Sequence, residues 1–164
     1  MTSSPTVRRA TTDDAEAFAA CHLACWREAY ADLWGSDRLE ALDLDSMANR
    51  RRNEIESGLG DHWLSELDGQ VVGIAIAGPS RDDNPPPGPA GERELYAIYV
   101  REEFKGKGLA DDLLEAAVGN GPASLWVYRD NPRASRFYVN HNFIPDGEDR
   151  TDSLGILEIR MVRN

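Results

Sequence analysis

The sequence has little cysteine and no long apolar run. Its two cysteines, Cys21 and Cys25, lie one turn apart in a stretch with helical periodicity, where disulfide geometry is rare and no paired metal-ligand spacing surrounds them. No apolar run approaches the ~20 residues that cross a bilayer, and the N-terminal residues lack the apolar centre of a signal peptide. We therefore expect a cytoplasmic protein with two buried free thiols and no metal.

Basic residues are also in the minority. Lys and Arg number 18 against 29 Asp and Glu, which gives a formal net charge of -11. A nucleic-acid surface needs a basic patch, so we expect no nucleic-acid partner, whereas an acidic chain favours cationic small molecules or basic peptides. The length of 164 residues predicts one domain over residues 1–164. The sequence leaves open whether the protein is a monomer or a homodimer.

The pattern of apolar residues predicts a mixed α/β fold. Helical periodicity covers residues 11–33 and 36–57, and Asp68-Gly69 between two apolar runs is a strong hairpin signal. Residues 79–91 are rich in proline and poor in apolar residues, which predicts a flexible loop inside the domain. Further strands are expected at 94–100, 123–128, 143–147 and 155–162, with helices after Gly108 and at 131–142.

A glycine-rich turn with two lysines, Lys105-Gly106-Lys107-Gly108, stands between a predicted strand and a predicted helix. Such a turn directs backbone N–H groups at one spot in front of the positive end of the helix, an arrangement that binds anions. The glycines let a phosphate approach the backbone, and the lysines add charge at its rim. The nucleotide P-loop and dinucleotide patterns do not fit. This segment alone leaves an alternative open, in which the turn is solvated, binds no anion and needs its glycines only to turn tightly.

A second block, residues 131–143, has its own physical logic. Asn131 can cap a helix that begins at Pro132, and helical spacing places Tyr138 on the inward face. Asn142 is suited to the left-handed conformation that closes a helix. The alternative for Tyr138 is that its hydroxyl only forms a hydrogen bond in the core.

Together the two blocks resemble the GNAT acetyltransferase superfamily. Residues 105–110 resemble its coenzyme A signature, [QR]-x-x-G-x-[GA], with Lys105 at the first position, and Asn131 to Phe143 resemble its asparagine-alanine-phenylalanine-tyrosine-glycine-phenylalanine pattern, with Asn142 in place of glycine. The resemblance implies an α/β fold of about seven mostly antiparallel strands, with a splayed parallel pair in the middle and four helices on the faces.

The resemblance also implies a reaction. It is the transfer of an acetyl group from acetyl-CoA to a primary amine of a small molecule or peptide, by direct attack in a ternary complex. The implied cofactor-binding residues are Ile98, Tyr99, Val100, Lys105, Gly106, Lys107, Gly108, Leu109, Ala110, Asn131 and Phe137. A non-catalytic acyl-CoA-binding or sensing module of the same fold is the alternative function.

For this reaction Tyr138 is the predicted general acid, because a phenol is mostly protonated at neutral pH, and Glu94 is the predicted general base, with Glu92 as a rival. The alternative for Glu94 is a solvent-facing charge at the end of the strand. The resemblance also makes the first two helices an acceptor wall, which here would contain Trp26, Tyr30 and Trp34. Aromatic faces beside acidic residues suit a cationic acceptor. Core packing and surface anchoring are the alternatives for these rings.

Overall fold

Seven strands form one mixed sheet in the computed structural model, which describes residues 3–164. The strands are β1 Thr6–Arg9, β2 Asp61–Leu67, β3 Gln70–Pro79, β4 Arg93–Val100, β5 Ala123–Tyr128, β6 Ile144–Thr151 and β7 Leu157–Arg163. The α-helices are α1 Ala15–Trp34, α2 Ser36–Glu40, α3 Leu44–Ser57, α4 Leu109–Val118 and α5 Pro132–Asn140. The first two residues, part of the stretch in which we expect no signal peptide, lie outside the described residues.

The strand order in the sheet is β1-β2-β3-β4-β5-β7-β6. The pairs β1–β2, β2–β3, β5–β7 and β6–β7 are antiparallel. β4 and β5 run parallel, and their ladder joins Glu94 with Ser124 and Leu95 with Leu125 at the beginning of both strands. A mostly antiparallel sheet with a parallel pair in its middle confirms the predicted fold class.

The hairpin between β2 and β3 is confirmed at the predicted dipeptide. Asp68 and Gly69 have φ values of 52° and 78°, and the flanking residues Leu67 and Gln70 face each other across the ladder. Two consecutive positive φ angles are what a two-residue hairpin turn needs to match the twist of its strands.

The helical stretch predicted over residues 36–57 is two helices, so the described residues contain five α-helices where four were expected. Asp43 separates them, because its carboxylate accepts a hydrogen bond from the Ser46 N–H at 3.2 Å and caps the N-terminus of α3. Gly58 ends α3 in the left-handed conformation.

The described chain divides into two compact units, residues 3–77 with 97–119 and residues 78–96 with 120–164. Fully buried side chains of the first unit include Phe18, Leu64, Ile74, Leu113 and Leu114. Those of the second unit include Leu125, Phe143 and Met161. That the whole chain is a single domain stays a prediction.

The proline-rich segment 79–91 is held by contacts within its own unit. Asp82 Oδ2 accepts a hydrogen bond from Trp126 Nε1 at 2.9 Å and pairs with Arg160 Nη1 at 3.2 Å. Arg160 is buried and also donates to the backbone oxygen of Asn84 at 2.6 Å. These contacts favour an ordered segment, whereas its composition predicts a flexible one, because composition does not register partners that are distant in sequence.

The same segment folds back on itself at a short 3₁₀ helix, Pro89–Gly91. Ala90 is fully buried there, and a Cβ added at Gly91 would overlap the backbone oxygen of Pro86. Close backbone packing therefore requires glycine at this position.

We expect the substitution Asp82→Ala to loosen this segment. It leaves the Trp126 indole N–H without its acceptor and removes one acceptor of the buried Arg160 guanidinium, which keeps the Asp146 carboxylate and the Asn84 backbone oxygen. This change should lower the free energy of unfolding by about 1–3 kcal/mol. Limited proteolysis should then cleave residues 79–91 faster. The neighbouring Asp83 is exposed, so Asp83→Ala is the matched control. Equal cleavage of both variants and the parent protein would show that Asp82 does not anchor the segment.

Candidate active site

The glycine-rich turn presents bare backbone at the N-terminus of α4. A short 3₁₀ helix, Glu102–Phe104, follows β4, and the chain then turns through Gly106 and Gly108, whose φ angles are +80° and +82°. These angles lie in the left-handed region that side-chain-bearing residues avoid. A Cβ placed on Gly106 would meet no atom within 4 Å. Glycine is therefore required by the backbone conformation, while the space around it remains open.

Gly108 is the N-cap of α4, and its carbonyl accepts a hydrogen bond from the Asp112 N–H at 3.1 Å. The N–H groups of the first helical turn have no partner within the helix, because no preceding helical carbonyl exists for them. They lie at the positive end of the helix dipole. This is the geometry of an anion site at a helix N-terminus.

The remaining predicted residues of the turn differ in what they present. Lys105 Nζ lies 2.8 Å from Glu102 Oε2, and Lys107 Nζ lies 5.6 Å from the centre of the Phe104 ring. Leu109 is buried and Ala110 half-buried, so these two side chains are directed largely into the fold. The lysine side chains supply positive charge at the edge of the turn.

The last residues of β4 lie in the same unit as the turn. Val100 is buried, while Ile98 and Tyr99 are half-buried. Gly73 of β3 lies against this part of the strand. A Cβ added at Gly73 would be 2.9 Å from Leu113 Cδ1 and 3.2 Å from the backbone carbonyl oxygen of Tyr99. A larger residue at this position would push β4 or α4 away, so Gly73 allows β3 to pack closely against both.

Helix α1 carries a ring at every fourth position of one stripe. The members of this aromatic stripe are Phe18, His22, Trp26, Tyr30 and Trp34. The rings of Trp26 and Trp34 are 5.3 Å apart, and those of Tyr30 and Trp34 are 4.8 Å apart. The structure therefore brings the three predicted acceptor residues together.

Two side chains of α1, Tyr30 and Glu28, tie the helix to the strand and turn described above. The hydroxyl oxygens of Tyr30 and Tyr99 are 2.9 Å apart and share a hydrogen bond. Glu28 accepts from Arg101 Nε at 2.9 Å and from the Glu102 N–H at 3.3 Å, and this carboxylate raises the pKa of Arg101. The predicted acceptor wall and the predicted cofactor turn are thus parts of one packed unit.

His22 belongs to the same cluster, and sequence reasoning missed it. Its ring centre lies 4.1 Å from that of Trp26 and 5.1 Å from that of Tyr99. The side chain is 3% exposed, and neither ring nitrogen has a hydrogen-bond partner among the described protein atoms. The signal that could have found it is the spacing of four residues that places it in the aromatic stripe.

The second predicted block lies in the other unit and has the local structure expected of it. The Asn131 side chain accepts a hydrogen bond from the Ala134 N–H at 3.3 Å and caps α5, whose first residue is Pro132. Asn142 has a φ of 71° and ends the helix in the left-handed conformation. Both predictions are confirmed.

Tyr138 faces inward, as its spacing predicts. It is buried, and its ring lies 5.5 Å from that of Phe137 and 6.0 Å from that of Phe143. Phe137 is half-buried and also contacts the ring of His141 at 4.7 Å. The ring packing fixes where the Tyr138 hydroxyl lies within this unit, whereas its catalytic role stays a prediction.

Glu94 is buried rather than exposed at the strand end. Its Oε1 accepts from the Arg81 N–H at 2.9 Å, and its Oε2 pairs with the Arg81 guanidinium at 3.1 Å. That guanidinium also lies over the ring of Tyr96 at 3.6 Å. Glu92 is exposed at the end of the Pro89–Gly91 helix. Glu94 therefore anchors the proline-rich segment, whatever further role it has.

The two cysteines are buried and free, as predicted. A hydrogen bond with Cys21 and burial raise the pKa of the Cys25 thiol well above its ordinary value. A protonated buried thiol is a poor nucleophile. The described residues contain no group of three histidine, cysteine, aspartate or glutamate side chains placed to hold a metal ion. Within residues 3–164, no helix combines the length and apolar character that a membrane span needs.

The chain matches known proteins over most of its length. Residues 17–143 match the model of the Acetyltransferase (GNAT) family. The chain is 25% identical over 152 residues to an uncharacterized N-acetyltransferase of Archaeoglobus fulgidus, covering 83% of this chain and 90% of the relative. It is 28% identical over 151 residues to another from Lactobacillus delbrueckii subsp. lactis, covering 80% and 87%. The PaiA N-acetyltransferase of Thermoplasma acidophilum, solved in complex with coenzyme A, has the same fold at 18% identity, with a TM-score of 0.73 over 96% of this chain and 98% of that one.

The two buried histidines predict a loss of stability in mild acid. Burial, with the nearby charge of Arg51, lowers the pKa of His22 to about 3, and burial lowers the pKa of His62. An unfolded histidine titrates near pH 6.5. Below that pH the unfolded chain takes up protons that the folded chain does not. The free energy of unfolding should then fall by up to about 1.4 kcal/mol per pH unit for His22 alone.

Urea unfolding between pH 7.5 and 4.5 measures this loss. The variant His22→Phe should lose stability less steeply over that range, because one of the proton-binding differences is gone. Identical slopes for the variant and the parent protein would contradict a buried neutral imidazole at this position.

Proposed function

The chain belongs to the GNAT acetyltransferase family and is an acetyltransferase; on that premise we propose that it transfers an acetyl group from acetyl-CoA to a primary amine of a small molecule or peptide. The observation that carries the proposal is the left-handed turn at Gly106 and Gly108 in front of α4. Membership of an enzyme family leaves the alternative of a non-catalytic acyl-CoA-binding module without support.

In this proposal the pyrophosphate of the cofactor binds the N–H groups of the turn from Lys105 to Ala110. The helix dipole and the two lysines favour the negative charge. The pyrophosphate is remote from the thioester, so its binding energy orients the acyl group without taking part in bond making.

The pantetheine arm is proposed to run along the end of β4. Its amides would pair with backbone groups of Ile98, Tyr99 and Val100, as an added strand pairs with a sheet edge. A backbone N–H near Val100 would then polarise the thioester carbonyl. Asn131 and Phe137 complete the proposed cofactor-binding residues.

The chemistry requires two proton transfers. A primary ammonium has a pKa near 10 and must lose a proton before it attacks, while the departing thiolate must gain one. We assign the acid to Tyr138, because a phenol is mostly protonated at neutral pH and can donate to sulfur. The nitrogen attacks the carbonyl carbon, the carbon–sulfur bond breaks, and the thiol leaves with the donated proton.

We assign the base to Glu94, with Glu92 as its rival. Each carboxylate oxygen has two acceptor positions, so the two contacts of Glu94 with Arg81 still leave positions for a water that relays the proton. Direct attack in a ternary complex is favoured over an acyl-enzyme, because the pKa of the Cys25 thiol is raised.

The aromatic stripe of α1 is the proposed acceptor wall, with Trp26, Tyr30 and Trp34 as its substrate-binding residues. A protonated amine approaching it meets aromatic faces and exposed acidic residues, both of which favour a cation. The proposal has three further parts. The transferred group is acetyl rather than a larger acyl group, the protein is cytoplasmic, and it has no nucleic-acid partner.

A substitution in the glycine-rich turn should weaken cofactor binding by more than its effect on stability explains. Gly108→Ala forces a side chain into a left-handed φ, which costs about 1–2 kcal/mol and shifts the N–H groups that face the pyrophosphate. We expect the acetyl-CoA dissociation constant, measured by calorimetry, to rise by about tenfold or more.

Gly58→Ala is the matched control, because Gly58 has a φ of +73° with nothing within 4 Å of its Cβ position and ends α3. It should lower stability by a similar amount and leave the dissociation constant unchanged. A parent protein that fails to bind acetyl-CoA at millimolar concentration would refute the proposed function, and equal affinities of the two variants would remove the turn from it.

Tyr138→Phe tests the acid. We expect kcat, measured by thiol release, to fall by roughly a hundredfold or more, with an unchanged dissociation constant for acetyl-CoA because the ring is retained. Tyr128→Phe is the control, since the Tyr128 hydroxyl donates to Asp152 at 2.5 Å and has no proposed chemical role. An unchanged kcat in Tyr138→Phe would rule out the acid.

The same assay separates the two carboxylates. Glu94→Gln should lower kcat at saturating substrate, whereas Glu92→Gln should not. A fall in kcat in Glu92→Gln alone would transfer the role to that residue.

A further inference from the structure

His22 has a hydrogen-bonding capacity that the fold does not use. A neutral imidazole offers one N–H donor and one nitrogen acceptor, and neither has a partner among residues 3–164. Buried polar groups in native proteins are almost always paired, so an unpaired one calls for an explanation. The other buried histidine, His62, differs because one of its two ring nitrogens, Nε2, lies 3.2 Å from Glu54 Oε2, although its Nδ1 is also without a partner among the described residues.

The position of His22 points to a ligand rather than to the core. Its ring lies against Trp26 and Tyr99, and both of these rings are half-buried, so the cluster reaches the surface. His22 is at the inner end of this cluster and Trp34 at the outer end. Tyr99 is also one of the proposed cofactor-binding residues, which places the imidazole beside the proposed reaction site.

The imidazole is not suited to be the base. Burial holds the pKa of His22 at about 3, and a base that weak removes few protons from an amine at neutral pH. The ring is therefore neutral in use, and a neutral imidazole recognises an uncharged hydrogen-bonding group without the cost of burying a charge.

We propose that His22 is a specificity-determining residue of the acceptor site, which hydrogen-bonds a hydroxyl or similar uncharged polar group on the aromatic body of an arylalkylamine acceptor. The inference rests on the proposed function and adds the class of acceptor. The flat body of such an amine packs against Trp26 and Tyr99, and its polar substituent reaches the imidazole. Because both ring nitrogens are buried, binding requires a side-chain rearrangement in the cluster, such as a rotamer change of Trp26, of the kind common on binding.

Two amines that differ by one hydroxyl test the inference, tyramine and phenethylamine. A site built to hydrogen-bond a substrate hydroxyl rejects the analogue that lacks it, because its own polar groups are then left unpaired. We expect kcat/KM of the parent enzyme to be about tenfold or more higher for tyramine. In His22→Phe and in the smaller His22→Leu the ratio should fall to about one.

The conservative variants His22→Asn and His22→Gln identify the nitrogen involved, since each amide retains a donor and an acceptor near one ring nitrogen. One of them should keep part of the preference for tyramine. A residue that only fills space would change both kcat/KM values together and leave their ratio as it is.

Thermal unfolding of the free protein provides a readout that does not depend on an acceptor. His22→Phe should leave Tm unchanged or raise it, because two unpaired polar atoms are removed. The matched control is His62→Phe, which deprives Glu54 of a partner and should lower Tm by several degrees. A drop of similar size in His22→Phe would mean that the imidazole is satisfied within the free protein, by a bound water for example, and would overturn the inference.

The failures of the two proposals are distinguishable. A protein that binds acetyl-CoA and acetylates other amines but not tyramine, or that keeps the tyramine preference in His22→Phe, contradicts the role of His22 alone. A protein that does not bind acetyl-CoA contradicts the proposed function.

Discussion

Two left-handed glycines are the constraint on which the rest of the proposed site depends. Gly106 and Gly108 turn the chain so that α4 begins with its N–H groups facing outward. A residue with a Cβ would resist both angles, and the helix would then begin elsewhere or present a side chain where a phosphate must approach.

The packing of α1 extends this constraint to the acceptor side. Glu28 binds both Arg101 and the N–H of Glu102 just before the turn, and Tyr30 shares a hydrogen bond with Tyr99 on β4. The helix that carries the aromatic stripe is therefore fixed to the strand that leads into the turn. A displacement of α1 would move both, so the proposed cofactor and acceptor residues of this unit are positioned together.

Local signals allowed much of the fold to be predicted from sequence. The Asp68-Gly69 hairpin, the Asn131 cap and the Asn142 helix end all depend on the conformational preferences of one or two residues, and each is confirmed. The division of the second helical stretch at Asp43 was missed, since a capping aspartate is also common on an exposed helix surface. The anchoring of residues 79–91 was missed because it depends on Trp126 and Arg160, which are remote in sequence.

The residues of the candidate site were also predictable in part from the sequence. The turn, Tyr138 and the aromatic residues of α1 stand out by residue type and spacing, while the burial of Glu94 against Arg81 depends on a contact that residue type and spacing do not indicate. His22 does not stand out in the sequence, because its significance lies in the absence of a hydrogen-bond partner among the described residues. Sequence shows which groups are present, whereas the satisfaction of a buried group is a property of three-dimensional packing.

The most direct measurement follows the backbone amide resonances of residues 105–110 by NMR while coenzyme A or pantetheine is added. If the N–H groups in front of α4 hold the pyrophosphate, coenzyme A shifts these resonances strongly at concentrations where pantetheine, which lacks the pyrophosphate, does not. Equal shifts with both ligands, or shifts with coenzyme A that spare residues 105–110, would contradict the account.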